Sequence, residues 1–216
     1  MTVTDLRARF EAAVTTLPLV AILRGVAPVD AEAVAVDLYR AGFRLIEVPL
    51  NSPQPFDSIA RIRKTVPADC LVGAGTVLQI EDVARLAASG GEIVVMPHSD
   101  PTVIRAAKNA GLLCLPGVAT PTEAFAALDA GADALKLFPA EMIAPPAVKA
   151  MRAVLPRHTL LFPVGGILPD SMAAYVSAGA NGFGLGSALY AAGQTDEQVG
   201  ERARRFVAAW RALATD

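Results

Sequence analysis

Cysteine and histidine are scarce in this sequence, with two of each among 216 residues. Cys70 and Cys114 each lie inside a short apolar run, which predicts reduced core thiols and not the disulfide framework of a secreted protein. His98 and His158 stand apart from any cluster of His, Asp and Glu, so the sequence predicts no metal site. Both scarcities indicate a cytoplasmic protein without a metal cofactor.

The sequence also lacks an excess of charge of one sign and any long hydrophobic run. Nineteen Lys and Arg face 21 Asp and Glu, so no nucleic-acid partner is indicated. Every apolar run is interrupted before it reaches the ~20 residues of a membrane-spanning helix. The N-terminal segment MTVTDLRARFEAAV carries charges where a signal peptide would be apolar, and it predicts a short amphipathic helix. We therefore expect a cytoplasmic protein with neither a membrane nor a nucleic acid as partner.

What the chain does have is a regular alternation of short apolar runs with alanine-rich segments of helical spacing. Its 53% hydrophobic residues suffice for the core of one large domain, which we expect to span residues 1–216. The runs predicted to be strands are 17–23, 44–50, 70–75, 92–97, 112–117, 134–139, 159–166 and 181–186. Such apolar strands are typical of a parallel sheet covered on both faces. The pattern predicts an α/β protein, a (β/α)₈ TIM barrel with a short N-terminal helix.

An open doubly wound sheet is the alternative fold, because it produces a similar alternation of strands and helices. Such sheets usually carry a glycine-rich loop after the first strand, and here that place holds ILRGVAP (22–28). The barrel is therefore favoured. In a barrel the carboxyl ends of the strands build the site, so the polar residues near those ends are the candidates for function.

Lys136 and Glu47 are the most unusual of these polar residues. Lys136 shares one face of its predicted strand with Ala134 and Phe138, and burial there would lower its pKa. A neutral amine can attack a carbonyl carbon and form a Schiff base. Glu47 shares a face with Leu45, and a buried carboxylate near a lysine can pair with it or exchange protons with it. The alternatives are a structural ion pair and a lysine that reaches solvent at the strand end.

Other candidates follow the remaining strands. Arg24 follows the first strand and offers two donors to a carboxylate, although it could instead be a solvated or salt-bridged loop residue. Thr76 follows the third strand, and its hydroxyl could bind a carboxylate of the substrate. Gly165-Gly166 and Gly184–Ser187 follow the last two strands, the latter just before a predicted helix. Their backbone N–H groups and that helix N-terminus predict a phosphate site. His98, after the fourth strand, could reach the site, although loop histidines are usually just solvated.

Several of these segments together resemble the pyruvate-dependent class I aldolases that act on 2-keto-3-deoxy-6-phospho sugar acids. The matching segments are ILRG (22–25), AGFRLIEVPLNSPQP (41–55), GAGTVL (73–78), PGVATPTEA (116–124), ALKLFPAE (134–141), PVGGI (163–167) and GLGSALY (184–190). They stand in the family's order and extend from about Leu17 to Gly193. Members of the family are trimeric (β/α)₈ barrels, so the resemblance implies a homotrimer, with no metal or organic cofactor.

The resemblance also implies roles for individual residues. Lys136 matches the Schiff-base lysine of the family, and Glu47 matches its general acid/base. Arg24 and Thr76 match positions that bind the carboxylate end of the substrate. The positions that match the phosphate site are Gly165, Gly166, Gly186 and Ser187.

Two departures from the family pattern concern the substrate. The gluconate branch commonly has Arg four residues after the catalytic Glu, where this sequence has Asn51, and Thr before the glycine pair, where it has Val164. We therefore expect the galactonate branch, with Val164 as a substrate-binding residue near the chain carbons of the sugar acid. The implied reaction is cleavage of 2-dehydro-3-deoxy-6-phospho-D-galactonate to pyruvate and D-glyceraldehyde 3-phosphate.

Three other functions stay open at this point. The first is the gluconate-type aldolase of the same family. The second is a metal-dependent aldolase or epimerase on the same barrel, which the missing ligand cluster disfavours. The third is a non-catalytic barrel that binds a phosphorylated ligand, which would keep the loop glycines without needing Lys136 and Glu47.

Overall fold

The computed structural model describes residues 3–213, over which helices and strands alternate. The strands are β1 (Leu19–Ile22), β2 (Leu45–Pro49), β3 (Leu71–Gly75), β4 (Ile93–Val95), β5 (Leu113–Leu115), β6 (Gly117–Val118), β7 (Leu135–Leu137), β8 (Leu161–Pro163) and β9 (Phe183–Leu185). Every run predicted to be a strand contains one. The fifth run is divided into β5 and β6 at Pro116, which has no N–H to donate to a ladder.

The helices lie between these strands, as the alanine-rich segments predict. They are α1 (Val3–Thr16), α2 (Pro28–Ala41), α3 (Pro55–Thr65), α4 (Ile80–Ala88), α5 (Pro101–Asn109), α6 (Pro121–Asp129), α7 (Pro145–Val154), α8 (Met172–Ser177) and α9 (Asp196–Leu213), with a 3₁₀ turn at Ala140–Met142. The short N-terminal helix is confirmed from Val3 onward, and its first two predicted residues lie outside the described part of the chain. No helix within residues 3–213 is long and apolar enough to cross a membrane.

The strands pair in parallel and curl around a common interior. One sheet has the order β5-β4-β3-β2-β1-β9, and the other has the order β6-β7-β8. A single parallel bridge between Val164 and Gly184 joins the second sheet to β9. The predicted parallel α/β arrangement is therefore confirmed, but over the described residues the hydrogen bonding forms two curled sheets and not one continuous ladder.

Alternate residues of each strand face two different apolar layers, because successive side chains of a strand point to opposite faces. The larger layer lies between the strands and the helices that cover them. The smaller layer is the concave face, where Leu45 and Ala134 pack with α1 at the amino ends of the strands. Glu47 and Lys136 lie two residues further along the same strands, so both face the same interior at its carboxyl end, as predicted.

A buried ion network holds α1 against the amino ends of the strands. The carboxylate of Glu92 is 5% exposed and accepts a hydrogen bond from Nη1 of Arg9 at 2.5 Å and another from Nη1 of Arg63 at 2.9 Å. Both carboxylate oxygens therefore have a cationic donor, which offsets the loss of hydration on burial.

The two cysteines contribute to the core, as the sequence predicts. Cys70 and Cys114 are buried and free. Burial raises the pKa of each thiol to about 12, so both remain protonated near neutral pH.

Candidate active site

A cavity of about 370 Å³ opens at the carboxyl ends of β1, β7, β8 and β9. Seven of the predicted site residues line it, whereas Glu47, Thr76 and His98 do not: Arg24, Lys136, Val164, Gly165, Gly166, Gly186 and Ser187. Parallel strands place their carboxyl ends at one edge, so residues far apart in sequence meet here.

Lys136 is the amine at the base of this cavity. It lies in β7 and is only 6% exposed, with its Nζ 4.5 Å from the centroid of the Phe138 ring. Burial lowers the pKa of Lys136, and the charge of Arg24 lowers it further, while the charge of Glu47 opposes both effects. The surroundings therefore favour the neutral, nucleophilic form of the amine more than water does.

Glu47 is the buried carboxylate beside this amine. It is 2% exposed, and its Oε2 has no hydrogen-bond partner among the described residues. Burial raises the pKa of Glu47, although the charges of Lys136 and Arg24 act in the opposite direction. The carboxyl group therefore holds a proton to higher pH than an exposed glutamate, next to an amine that loses its proton more readily.

A glycine on the neighbouring strand makes room for this carboxylate. A Cβ added at Gly75 would lie 1.7 Å from Oε2 of Glu47, so a larger residue at that position would displace the carboxylate. In the sequence, Gly75 was noted only as part of the GAGT segment, where the candidate residue was Thr76. The space that Gly75 leaves for Glu47 was not predicted.

Arg24 and Thr76 belong to two adjoining cavities. Thr76 lines a cavity of about 340 Å³ together with Asn51, and does not line the cavity of Lys136. Nη1 of Arg24 donates a hydrogen bond to Oδ1 of Asn51 at 2.6 Å, which links the linings of the two cavities. The role of Thr76 stays a prediction, as does that of Arg24.

The glycine loops have backbone conformations that suit glycine, but the helix predicted after Ser187 is absent. Gly165 and Gly166 have φ values of +115° and +62°, which are favourable for glycine and strained for other residues. The prediction of a helix directly after Ser187 is wrong. The chain makes a single turn closed on the carbonyl of Gly186, and the next helix, α9, begins at Asp196. An anion in this loop would therefore contact backbone N–H groups and a hydroxyl without a helix N-terminus.

For two further residues, His98 and Glu141, the sequence reasoning and the lining of the cavity disagree. His98 is not among the residues that line the cavity of Lys136, but its Nδ1 is buried without a hydrogen-bond partner among the described residues. Glu141 does line the cavity, and the sequence reasoning missed it. Its only sequence signal is its place at the end of the ALKLFPAE segment.

The described residues offer no cluster of metal-ligating side chains. Within residues 3–213, no group of three or more His, Cys, Asp or Glu side chains could hold a metal ion.

A larger cavity of about 640 Å³ lies at the opposite ends of the strands against α1, lined in part by His158. Its Lys108 and Asp133 are paired with each other at 2.5 Å, in contrast to the amine and carboxylate at the carboxyl end.

Known proteins are similar to this chain in sequence and in architecture. A family model described as KDPG and KHG aldolase matches residues 10–202. A probable 2-dehydro-3-deoxy-6-phosphogalactonate aldolase of Rhizobium meliloti (strain 1021) is 48% identical over 196 residues, which cover 91% of this chain and 92% of the relative. The 2-dehydro-3-deoxy-6-phosphogalactonate aldolase of Escherichia coli (strain K12) is 47% identical, over 91% of this chain and 96% of the relative. A solved structure described as native KDPGal has a TM-score of 0.91 at 46% identity, covering 93% of this chain and 97% of that one.

Proposed function

Because the chain belongs to the KDPG and KHG aldolase family and is therefore a carbon–carbon lyase, we propose that it cleaves 2-dehydro-3-deoxy-6-phospho-D-galactonate to pyruvate and D-glyceraldehyde 3-phosphate. The observation that carries the proposal is the pair formed by Lys136 and Glu47. An amine with a lowered pKa and a carboxyl with a raised pKa lie at the same end of the interior. The galactonate substrate is supported by the names of the two relatives.

Lys136 is the nucleophile of the proposed mechanism. Its neutral amine attacks the C2 ketone of the sugar acid, and loss of water gives an imine that withdraws electrons from the C3–C4 bond. Removal of the C4 hydroxyl proton breaks that bond, releases the aldehyde and leaves the electron pair on an enamine of pyruvate. Protonation of the enamine carbon and hydrolysis of the imine then release pyruvate and restore the amine.

Glu47 is the acid–base group of the same mechanism. It donates the proton that the departing water needs and accepts the C4 hydroxyl proton, directly or through a water molecule. A carboxyl with a raised pKa is suited to both steps, since proton transfer is most efficient when the pKa lies near the operating pH. Its Oε2, which no described residue contacts by a hydrogen bond, can accept one from the substrate.

The remaining site residues bind the two ends of the substrate in this proposal. The carboxylate end lies along Arg24 and extends across Asn51 toward Thr76. The phosphate lies at the other side of the cavity, against the N–H groups of the glycine loops and the hydroxyl of Ser187. Val164 lies between the two ends and contacts the chain carbons. The phosphate-binding residues are Gly165, Gly166, Gly186 and Ser187.

Two measurements test the proposed reaction. In a coupled assay of pyruvate release, the galactonate substrate should have the higher kcat/KM, and a preference for its gluconate epimer would replace the proposal with the gluconate-type activity. Borohydride reduction in the presence of pyruvate should leave an adduct on Lys136. Labelling of Lys64, Lys108 or Lys149 instead would contradict the mechanism, and activity that disappears with a chelator would indicate a metal-dependent enzyme.

The proposal extends to the architecture. The two sheets form one closed (β/α)₈ barrel, supported by the Val164–Gly184 bridge at one junction and by chain continuity through Pro116 at the other. A single domain over residues 1–216 is supported by one apolar cluster that extends from Leu17 to Val207. Denaturant unfolding should then show one transition by fluorescence and by circular dichroism, whereas separate transitions would contradict a single domain.

The proposal also includes a homotrimer in the cytoplasm. The trimer is supported by the family resemblance, and light scattering should give three times the mass of one chain.

The cytoplasmic location is supported by the free thiols of Cys70 and Cys114, since oxidising compartments favour disulfides. Recovery of the protein in a periplasmic fraction would contradict that location.

A further inference from the structure

A negatively charged side chain lies against the loop where the phosphate is proposed to bind. Glu141, in the 3₁₀ turn, lines the same cavity as Lys136. A Cβ added at Gly165 would lie 2.1 Å from Oε2 of Glu141, and one added at Gly166 would lie 3.0 Å from its Cγ. The carboxyl group of Glu141 therefore covers the glycine pair, in space that the glycines leave open.

Within residues 3–213, this carboxylate has no cationic side chain as an ion-pair partner. Glu141 is exposed and takes part in none of the ion pairs or hydrogen bonds found among the described residues. The basic side chains that line the cavity are Arg24 and Lys136. Arg24 is bonded to Asn51, and Lys136 is paired electrostatically with Glu47. Both basic side chains of the cavity lining are therefore already engaged, whereas an acidic side chain lies over the glycine pair. Arg202, which donates a hydrogen bond to the carbonyl of Ser187 at 3.5 Å, is not part of that lining.

We propose that Glu141 is a specificity-determining residue that opposes the binding of free phosphate groups at the Gly165-Gly166 loop. This inference rests on the proposed function, which places the phosphate of the substrate in that loop. A phosphate dianion binds there only by displacing the carboxylate or by tolerating its repulsion. The sugar acid overcomes this repulsion because its other end is held by the imine at Lys136.

The consequence concerns the product more than the substrate. Once C3–C4 is broken, glyceraldehyde 3-phosphate has no covalent link to Lys136 and is held mainly through its phosphate. Repulsion by Glu141 then acts without compensation and accelerates its release. Inorganic phosphate, which lacks any second contact, is disfavoured in the same way.

The test compares Glu141→Gln with wild type for inhibition by inorganic phosphate and for turnover of phosphorylated and unphosphorylated sugar acids. Glutamine keeps the shape and removes the charge, so the inhibition constant of phosphate should fall by about 3- to 30-fold, as expected for charges a few ångströms apart near a protein surface. The KM of the phosphorylated substrate should fall as well, and kcat/KM of the unphosphorylated sugar acid should change by less than about twofold.

Two control variants separate charge from other effects. Glu81→Gln removes one exposed carboxylate from the first turn of α4 and should leave phosphate inhibition unchanged. Glu141→Asp keeps the charge and should remain close to wild type. Unchanged phosphate inhibition in Glu141→Gln, an Asp variant that behaves like the Gln variant, or an equal change for both sugar acids would each overturn the inference.

Imine trapping distinguishes this inference from the function on which it rests. If borohydride reduction with pyruvate labels Lys136 in Glu141→Gln while phosphate inhibition is unchanged, the assignment of Glu141 is wrong and the aldolase mechanism stands. If the wild type forms no adduct at Lys136, the proposed mechanism itself is wrong.

Discussion

Two buried glutamates lie at opposite ends of the strands, and their surroundings differ. Glu92, at the amino ends, is 5% exposed and receives a hydrogen bond from an arginine on each carboxylate oxygen. Glu47, at the carboxyl ends, is 2% exposed, and one of its oxygens has no partner among the described residues. The first carboxylate is satisfied within the fold, whereas the second retains a free acceptor inside the protein.

This difference separates a stabilising end of the molecule from the end at which we propose that the reaction occurs. A buried carboxylate with strong donors holds elements together, and removal of one partner leaves an uncompensated charge. A buried carboxylate with too few donors has a raised pKa and costs folding free energy, which is a common property of catalytic groups. The amine of Lys136 shows the same property in the opposite direction, since burial lowers its pKa.

The largest effect should come from removal of the amine at the reactive end. Lys136→Met replaces it with an apolar side chain of similar length, so turnover should fall by more than about 10⁴-fold because no imine can form. Circular dichroism and the melting temperature should stay close to wild type. Lys149→Met, which removes an exposed lysine from α7, is the matched control and should retain full activity.

Glu47→Gln should have the second largest effect, and it should be kinetic. Glutamine keeps the size of the side chain but cannot transfer protons, so kcat should fall by about 10²–10⁴-fold. The free energy of unfolding should not fall, because the substitution removes a buried carboxyl group whose desolvation costs folding free energy. A loss of activity below about threefold would make Glu47 a structural partner of Lys136.

The same variant should shift the pH dependence of imine formation. The charge of Glu47 raises the pKa of Lys136 against the effect of burial, so its removal should lower that pKa further. A lower pKa means that the neutral amine persists to lower pH. The rate of borohydride-trapped adduct formation with pyruvate should therefore reach half its maximum at a lower pH in Glu47→Gln than in wild type; a shift to higher pH would contradict the assigned pair.

Glu92→Gln should reverse this pattern at the other end of the strands. The amide cannot accept charge-assisted hydrogen bonds from both Arg9 and Arg63, and each such bond is worth about 1.5–3 kcal/mol. The free energy of unfolding, measured in urea, should fall by that amount, while kcat of the remaining folded enzyme should change by less than about twofold. A large loss of kcat without a loss of stability would remove the contrast between the two ends.

The buried positions of Lys136 and Glu47 could be predicted from the sequence, but the residues around them could not. Lys136 and Glu47 could be predicted because a charged residue inside an apolar strand is conspicuous and period two gives its direction. Glu141 could not, since its place over Gly165 depends on how the turn after β7 meets the loop after β8. The division of the fifth strand at Pro116 and the single turn after Ser187 depend likewise on tertiary hydrogen bonding, which local pattern does not contain.

Ser187→Asp tests whether substrate binding depends on a phosphate group at the loop that contains Ser187. The new carboxylate would lie beside the proposed phosphate, so the KM of the phosphorylated substrate should rise by about tenfold. The unphosphorylated sugar acid should be affected much less, and Ser187→Ala, which adds no charge, should show a smaller change for both. Equal losses for the two substrates in Ser187→Asp would mean that the loop only shapes the cavity.

Val164→Thr should have the smallest effect, and it addresses the choice between the two epimers at C4. Val164 is 8% exposed, lines the cavity of Lys136 and packs closely over Gly184, where an added Cβ would lie 2.6 Å from its Cγ2. Valine offers no hydrogen bond to the C4 hydroxyl or to the developing aldehyde oxygen, whereas threonine offers one at nearly the same volume. One such bond in the transition state is worth about 0.5–1.5 kcal/mol, so the ratio of kcat/KM values should shift toward the gluconate epimer by about two- to tenfold. Substrate competition between the two epimers measures that ratio directly. An equal loss for both would mean that Val164 only packs the interior and that the epimer is selected elsewhere. Asn51, which accepts a hydrogen bond from Arg24, is the other departure from the gluconate pattern.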